Sequence, residues 1–234
     1  MSIAENVAQV RERIAAAARR AHRHPEEITL MAVSKMVEPA RIRQGHEAGL
    51  RVFGENRVQE FADKVGSVKA LDGCDWHLIG HLQSNKASKA AELFHGVDSI
   101  DSLRLAEKLN AAATGLRRKL QTLLEINIGG EAAKSGLAPD SQELASILRA
   151  APTLQALQIR GLMALPPFTD NPEGARPYFR KMRQLRDAIA DRKFPSVTME
   201  TLSIGMSHDF EIAIEEGSTC VRVGTAIFGE RPQP

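Results

Sequence analysis

Lys35 closes the apolar run Met31-Ala32-Val33-Ser34-Lys35. An ammonium at the end of such a run is partly desolvated, and desolvation lowers a lysine pKa until the free amine becomes a nucleophile that forms Schiff bases with aldehydes. An ion pair with Glu55 is the plainer role for the same side chain. Far along the chain, Gly205-Met206-Ser207 precedes an apolar helical segment, which places Ser207 as an N-cap. Its hydroxyl and the neighbouring N–H groups would cradle an anion. Gly224-Thr225 follows an apolar strand. Glycine lets the backbone approach an anion closely, and threonine adds a hydroxyl donor. Plain capping and a glycine turn would account for the same residues. Asp209 and Glu211, in the first helical turn after Ser207, suit the helix dipole and oppose a bound anion. Arg222 stands two residues before Gly224, so the two positions share a strand face. If buried, it needs an acceptor: a structural carboxylate or a neutral ring nitrogen of a ligand.

A reactive lysine, a phosphate cradle and an arginine beside it describe a site for pyridoxal 5'-phosphate (PLP). The aldehyde meets Lys35, the phosphate meets Ser207 and Gly224-Thr225, and Arg222 meets the pyridine nitrogen.

These residues lie far apart in sequence, so a fold must bring them together. Strands are predicted at Ile28 to Val33, Arg51 to Phe53, Trp76 to Ile79, Val97 to Ile100, Leu120 to Ile128, Ile159 to Ala164, Thr198 to Ile204 and Thr219 to Val223. Helices are predicted between them: Ala40 to Ala48, Val58 to Val65, Asn85 to Phe94, Leu103 to Ala113 capped by Ser102, Ser141 to Arg149, Glu173 to Arg192 and Phe210 to Glu216. Alternating strands and helices require parallel pairing through crossovers. Eight such units in 234 residues predict an α/β fold, a single (β/α)8 TIM-type barrel spanning residues 1–234 as one domain. An open doubly wound sheet is the alternative. Only Gly229 to Pro234 follow Phe228, which leaves no room for a full eighth helix. An extra N-terminal helix, with Ile3, Val7, Val10 and Ile14 in one stripe, is placed to cover that gap. In a barrel the functional face is the set of loops after the strands. That makes Lys35, Asn56, His81, Asn127, Met163, Ser207 and Arg222 to Thr225 the strand-end positions of interest.

Composition narrows the function classes. Apolar residues at 43% suffice for a core, while aromatics at 4% do not supply a stacking platform for nucleic acid. Thirty-one Lys and Arg against 29 Asp and Glu leave a net charge of +2, without the dense basic stripe of a nucleic-acid footprint. No apolar run approaches the roughly 18 residues of a membrane span, and the N-terminus lacks a secretory apolar region. Cys74 and Cys220 lie far apart and suggest neither a disulfide framework nor a metal site. A cytoplasmic location is expected, and a monomer, since a barrel is self-sufficient.

Five segments carry a resemblance: Ala32-Val33-Ser34-Lys35, Phe53-Gly54-Glu55-Asn56, His77 to Lys86 (HLIGHLQSNK), Ser203 to Asp209 (SIGMSHD) and Val221 to Gly229 (VRVGTAIFG). In this order they resemble the pyridoxal phosphate homeostasis protein family, which is similar to the barrel domain of alanine racemases and lacks their second domain. Ile204 stands where many relatives have Met. The resemblance implies PLP held as a Schiff base on Lys35, with Ser207, Gly224 and Thr225 near the phosphate and Arg222 near the ring nitrogen. It also implies Asn56 and Ser203 as cofactor-binding residues. The implied function is a cytosolic carrier or regulator of vitamin B6 and amino-acid pools, without established catalytic turnover, and PLP-dependent apo-enzymes are the acceptors such a carrier would serve.

Residue chemistry leans the same way. Arginine stays charged and cannot accept a proton, so an Arg222 contact keeps the pyridine nitrogen neutral and weakens the electron sink. Racemisation needs a second proton donor on the opposite ligand face. The chain has one tyrosine, Tyr178, inside the predicted long helix. His81 is a candidate acid or base at a strand end, or simply a hydrogen-bonded loop histidine. Two alternatives stay open: a small PLP-dependent amino-acid racemase or lyase, and a class I aldolase-like enzyme whose lysine binds a phosphorylated sugar.

Overall fold

The computed structural model describes residues 1–68, 70–131 and 134–230. It opens with helix α1 (Ile3–Arg20), followed by β1 (Thr29–Val33), α2 (Pro39–Glu47), β2 (Val52–Glu55), α3 (Val58–Val68), β3 (Asp75–Leu78), α4 (Ala87–Leu93), β4 (Gly96–Ile100) and α5 (Leu103–Gly115). It continues with β5 (Leu120–Ile126), α6 (Gln142–Ala150), β6 (Leu157–Ala164), α7 (Arg176–Asp191), β7 (Val197–Met206), α8 (Phe210–Glu215), β8 (Cys220–Val223) and the short α9 (Thr225–Phe228). The strands pair in sequence order, all parallel, and β8 closes onto β1 with Met31 opposite Arg222 and Ala32 opposite Val223. This is the expected (β/α)8 barrel, not the open sheet.

Helix α1 takes the outer position where a full eighth helix would pack. Ile3, Val7, Val10 and Ile14 are all buried, and α1 lies against α2, α8 and α9. Burying each such side chain contributes about 1.5–3 kcal/mol. Polar contacts fix its register: Asn6 Nδ2 donates to the Ile227 carbonyl at 2.8 Å, and Arg13 pairs with Glu211 at 2.7 Å. The predicted shortage of chain after Phe228 rests partly on residues 231–234, which lie outside the described residues.

Several boundaries move for local reasons. Ser102 Oγ accepts from Leu105 N and Ser141 Oγ from Leu144 N, so both helices start at their caps. The long helix starts at Arg176, three residues later than predicted, after a 3-10 turn over Pro172–Ala175. Pro177 has no N–H to give and is accommodated in the first helical turn. Strand β5 ends at Ile126, short of the predicted Ile128, because Asn127 turns to hold the following loop.

Two apolar layers result. The larger lies between barrel and helices. A smaller cluster of Met31, Val33, Ile79, Leu123, Met163 and Cys220 fills the barrel. This plug separates a cavity at the strand C-termini, walled by Val33 and Ile79, from one at the N-terminal end, floored by Met31, Leu123 and Cys220.

Candidate functional site

The cavity at the C-terminal end has a volume of about 440 Å³, within the range of roughly 300–1,000 Å³ usual for small-molecule pockets. Lys35, Asn56, Ser207, Arg222, Gly224 and Thr225 all line it. Strands β1, β7 and β8 are neighbours at the closing seam, which is how residues 170 or more positions apart in sequence come to share one wall.

The turn carrying Lys35 is pinned on every side. Ser34 N donates to the Gly54 carbonyl, and Ser34 Oγ donates to Glu55 Oε1 at 2.6 Å. Lys64 Nζ reaches from α3 to the Ser34 carbonyl at 2.9 Å and to Glu55 Oε1 at 2.9 Å. Met36, in the left-handed region at φ 57°, donates its N–H to Glu60 Oε1 at 2.6 Å. Lys35 is half-buried between these anchors. Glu55 is fully buried, and burial pushes its carboxyl up while the Lys64 charge and the Ser34 hydroxyl pull it back down. Ser34, Glu60 and Lys64 are supports that sequence reasoning missed. Their own segments carry no sign that they converge on one turn.

The anion end is built by an irregularity in β7. Ser203 faces Cys220 and Met206 faces Arg222, so three steps on β7 span two on β8. This bulge centres on Gly205, at φ 93°, where an added Cβ would fall 2.5 Å from the Ala213 Cβ. The strand therefore runs on to Met206, beyond the predicted Ile204. The predicted role of Ser207 as N-cap is corrected. Asp209 is the N-cap residue of α8, and its Oδ1 accepts from Met206 N at 2.7 Å. Ser207 instead reaches across the seam, where its Oγ accepts from Gly224 N at 3.2 Å and from Ala226 N at 3.5 Å. A hydroxyl that accepts from two N–H groups has its own proton to give to a ligand oxygen. The two carboxylates expected to oppose an anion are diverted. Asp209 is buried, bonded to Met206 and pushed up by burial, and Glu211 pairs with Arg13 and Arg20 of α1.

Arg222 is 3% exposed. Its Nη1 donates to the Ser203 carbonyl and hydroxyl, both at 2.6 Å, and its Nη2 donates to the Ala164 carbonyl at 2.8 Å. Burial pulls its pKa down, yet a guanidinium at such a site stays cationic. The acceptor anticipated for a buried arginine is thus a set of carbonyl dipoles and one hydroxyl. Ser203 does not line the cavity; it sits fully buried behind Arg222 and positions it.

Asn56 lies at the end of β2, and its backbone is met closely by Gly80. A Cβ on Gly80 would fall 2.2 Å from the Asn56 carbonyl oxygen. His81 lines the cavity with its Nδ1 3.0 Å from Asp101 Oδ2, a geometry that serves a hydrogen-bonded loop histidine and an acid or base alike. Asn127 and Met163 do not line this cavity: the first holds its loop, and the second is fully buried in the plug. Tyr178 is on α7 and does not line it either. Sequence reasoning missed Glu125, which does line it and is 5% exposed. Burial pushes its carboxyl up, against hydrogen bonds from Ser135 Oγ at 3.2 and 3.3 Å. Strand parity could have found it, since Glu125 shares the inward face with Leu123 once β5 is ended at Ile126. At the rim, Phe168 is 76% exposed and tilts against His208 at 5.6 Å between ring centres.

Comparison with known proteins fits this geometry. Residues 5–232 match the family model described as alanine racemase, N-terminal domain. The chain is 43% identical over 231 residues to the pyridoxal phosphate homeostasis protein of Aquifex aeolicus, covering 99% of each chain. It is 46% identical to the protein of that name from Escherichia coli K12, covering 98% of this chain and 97% of the relative. Among solved structures, PipY of Synechococcus elongatus with PLP bound is similar at 37% identity and a TM-score of 0.84, covering 97% of this chain and all of that one. An alanine racemase of Clostridium difficile, 15% identical with a TM-score of 0.72, is matched over 57% of its length and shows the shared barrel alone. The chain belongs to the pyridoxal phosphate homeostasis protein family, built on the alanine racemase N-terminal barrel.

Proposed function

We propose that this protein binds PLP at the β1, β7 and β8 mouth and acts in PLP and amino-acid homeostasis as a carrier or regulator without catalytic turnover. The observation that carries this is the single cavity into which Lys35, Ser207, Arg222, Gly224 and Thr225 all open. The residues fit the group. Lys35 would hold the aldehyde as a Schiff base, amine and aldehyde condensing with loss of one water. The Ser207 hydroxyl, the backbone at Gly224 and the Thr225 hydroxyl would bind the phosphate. Arg222, donating only, would face an unprotonated ring nitrogen, with Ser203 holding it from behind. Asn56 would contact the cofactor from β2. When bound, PLP supplies an electrophilic carbon for amines; a cationic arginine beside the ring restrains the electron-sink chemistry that enzymes draw from it.

A carrier is favoured over a racemase by the surroundings of the cavity. No tyrosine lines it, the chain's tyrosine lying on α7, and the titratable groups that do, His81 and Glu125, are engaged by Asp101 and Ser135. We place the protein in the cytoplasm as a one-domain monomer that passes PLP to apo-enzymes. To test the site, the purified chain is incubated with PLP, its absorption spectrum recorded, and the adduct trapped with borohydride. The Lys35 peptide should carry the label, and Lys35→Ala should lose the long-wavelength band. A retained band in Lys35→Ala refutes the lysine assignment. Steady turnover of an amino acid by the loaded protein refutes the carrier reading.

A further inference from the structure

The wall of the cofactor cavity carries a histidine–carboxylate pair that the cofactor contacts do not use. His81 follows β3 on a turn held from several sides. Ile79 N donates to the Glu55 carbonyl, Ser99 Oγ donates to the Gly80 carbonyl at 2.7 Å, Gly80 packs on the Asn56 backbone, and Leu82 is 2% exposed. The ring thus enters the cavity wall from a fixed base. Asp101, just past β4, lies 3.0 Å from Nδ1. A carboxylate there accepts the Nδ1 proton as a hydrogen bond and leaves the lone pair of the neutral ring on Nε2. It also stabilises the imidazolium that forms when Nε2 takes up a proton. The same pairing occurs at the other end of the barrel, where His77 meets Asp98 at 2.9 Å. That ring is 11% exposed and His81 is 55% exposed, so bulk water reaches His81. His208, also in the lining, sets its Nε2 3.2 Å from the Thr169 carbonyl, an uncharged partner that supports an imidazolium less.

Lys35 follows β1 and His81 follows β3, two strand spacings apart or roughly 10 Å. A lysine and a histidine side chain lining one cavity span that distance with a water molecule between them. We propose that His81 is the acid–base residue for making and breaking the Schiff base on Lys35, and so loads and unloads the carrier; this rests on the PLP site described above. In release, His81 Nε2 takes a proton from water as the water oxygen bonds to the aldehyde carbon, and passes it to Lys35 Nζ. It then takes the second proton from that oxygen as the carbon–nitrogen bond breaks, and passes this one to Lys35 Nζ as well. One water is consumed, an aldehyde and a free amine are formed, and His81 ends as it began; loading is the reverse. Racemisation needs a second acid or base on the opposite ligand face, whereas this exchange needs one base and water.

The test follows the long-wavelength absorption band of the full-length chain in amine-free buffer, during uptake after mixing with PLP and during release on dilution. His81→Asn keeps an N–H donor for Asp101 and removes the base. A catalyst speeds both directions alike, so both rates should fall about 100-fold, the size of a general acid–base contribution, while the Kd from equilibrium titration stays unchanged. Added imidazole, which forms no Schiff base of its own, should restore part of the rate. Asp101→Asn, which leaves the ring and removes the carboxylate, should slow both directions too and serves if His81→Asn does not fold. In the PLP-free wild type, nitrogen NMR should find the neutral His81 ring protonated on Nδ1; a proton on Nε2 instead overturns the proposal. A weaker Kd with uptake untouched overturns it as well, being the mark of a purely structural role. A wild-type chain that forms no band refutes the PLP site itself, whereas a band exchanged as fast in both variants as in the wild type refutes this proposal alone.

Discussion

Replacing Ser203 by alanine tests whether a residue behind the cavity wall governs the site. The substitution removes one acceptor, at 2.6 Å from Arg222 Nη1, and leaves the Ser203 and Ala164 carbonyls in place at 2.6 and 2.8 Å. A hydrogen bond to a charged group contributes about 1.5–3 kcal/mol when buried. For a chain of 234 residues, each kcal/mol moves the melting temperature by about 2–4 °C. The expected loss is therefore about 3–12 °C in thermal unfolding followed by circular dichroism. PLP affinity, measured by absorbance titration, should fall as well, because the guanidinium facing the ring loses one of its anchors. The decisive comparison is a double-mutant cycle. In an Arg222→Met background the serine hydroxyl has no cation to accept from, and Ser203→Ala should then cost close to nothing. Equal costs in both backgrounds would show that the hydroxyl does not support Arg222, and the reasoning would fail.

Lys64→Met strips the cation from the fully buried Glu55 and from the Ser34 carbonyl. Breaking a buried pair in this way should cost on the order of 3–5 kcal/mol in denaturant unfolding and loosen the Lys35 turn. Glu125 has its carboxyl pushed up by burial, so folding favours its protonated form. That contribution is complete below the unfolded-state pKa and is lost as pH rises through the folded value. Glu125→Gln should accordingly raise the melting temperature at pH 7 and change little near pH 4; equal effects at both pH values would contradict this. Gly80→Ala places a methyl 2.2 Å from the Asn56 carbonyl oxygen, so the end of β2 must shift. PLP affinity should drop while the barrel's circular dichroism spectrum is kept, and an unchanged affinity would remove Asn56 from the site.

Local patterns on the chain determined the strand and helix order, the buried stripe of α1, the caps at Ser102 and Ser141, and the association of Lys35, Asn56, Ser207, Arg222, Gly224 and Thr225 with the strand ends. These follow from alternation, 3.6-residue periodicity and cap chemistry, each confined to a few neighbouring residues. What needed the tertiary structure was the direction of individual side chains. Ser207 looked like a helix cap and became a cross-seam acceptor, because a bulge at Gly205 shifted the β7–β8 register. Ser203 stands behind Arg222 instead of on the cavity wall. Lys64, on a helix of ordinary pattern, supports the strand-one turn. In a closed parallel sheet each strand's stagger is set by its two neighbours, and one inserted residue re-aims everything after it. That information lies in pairings between distant segments, where no local pattern records it.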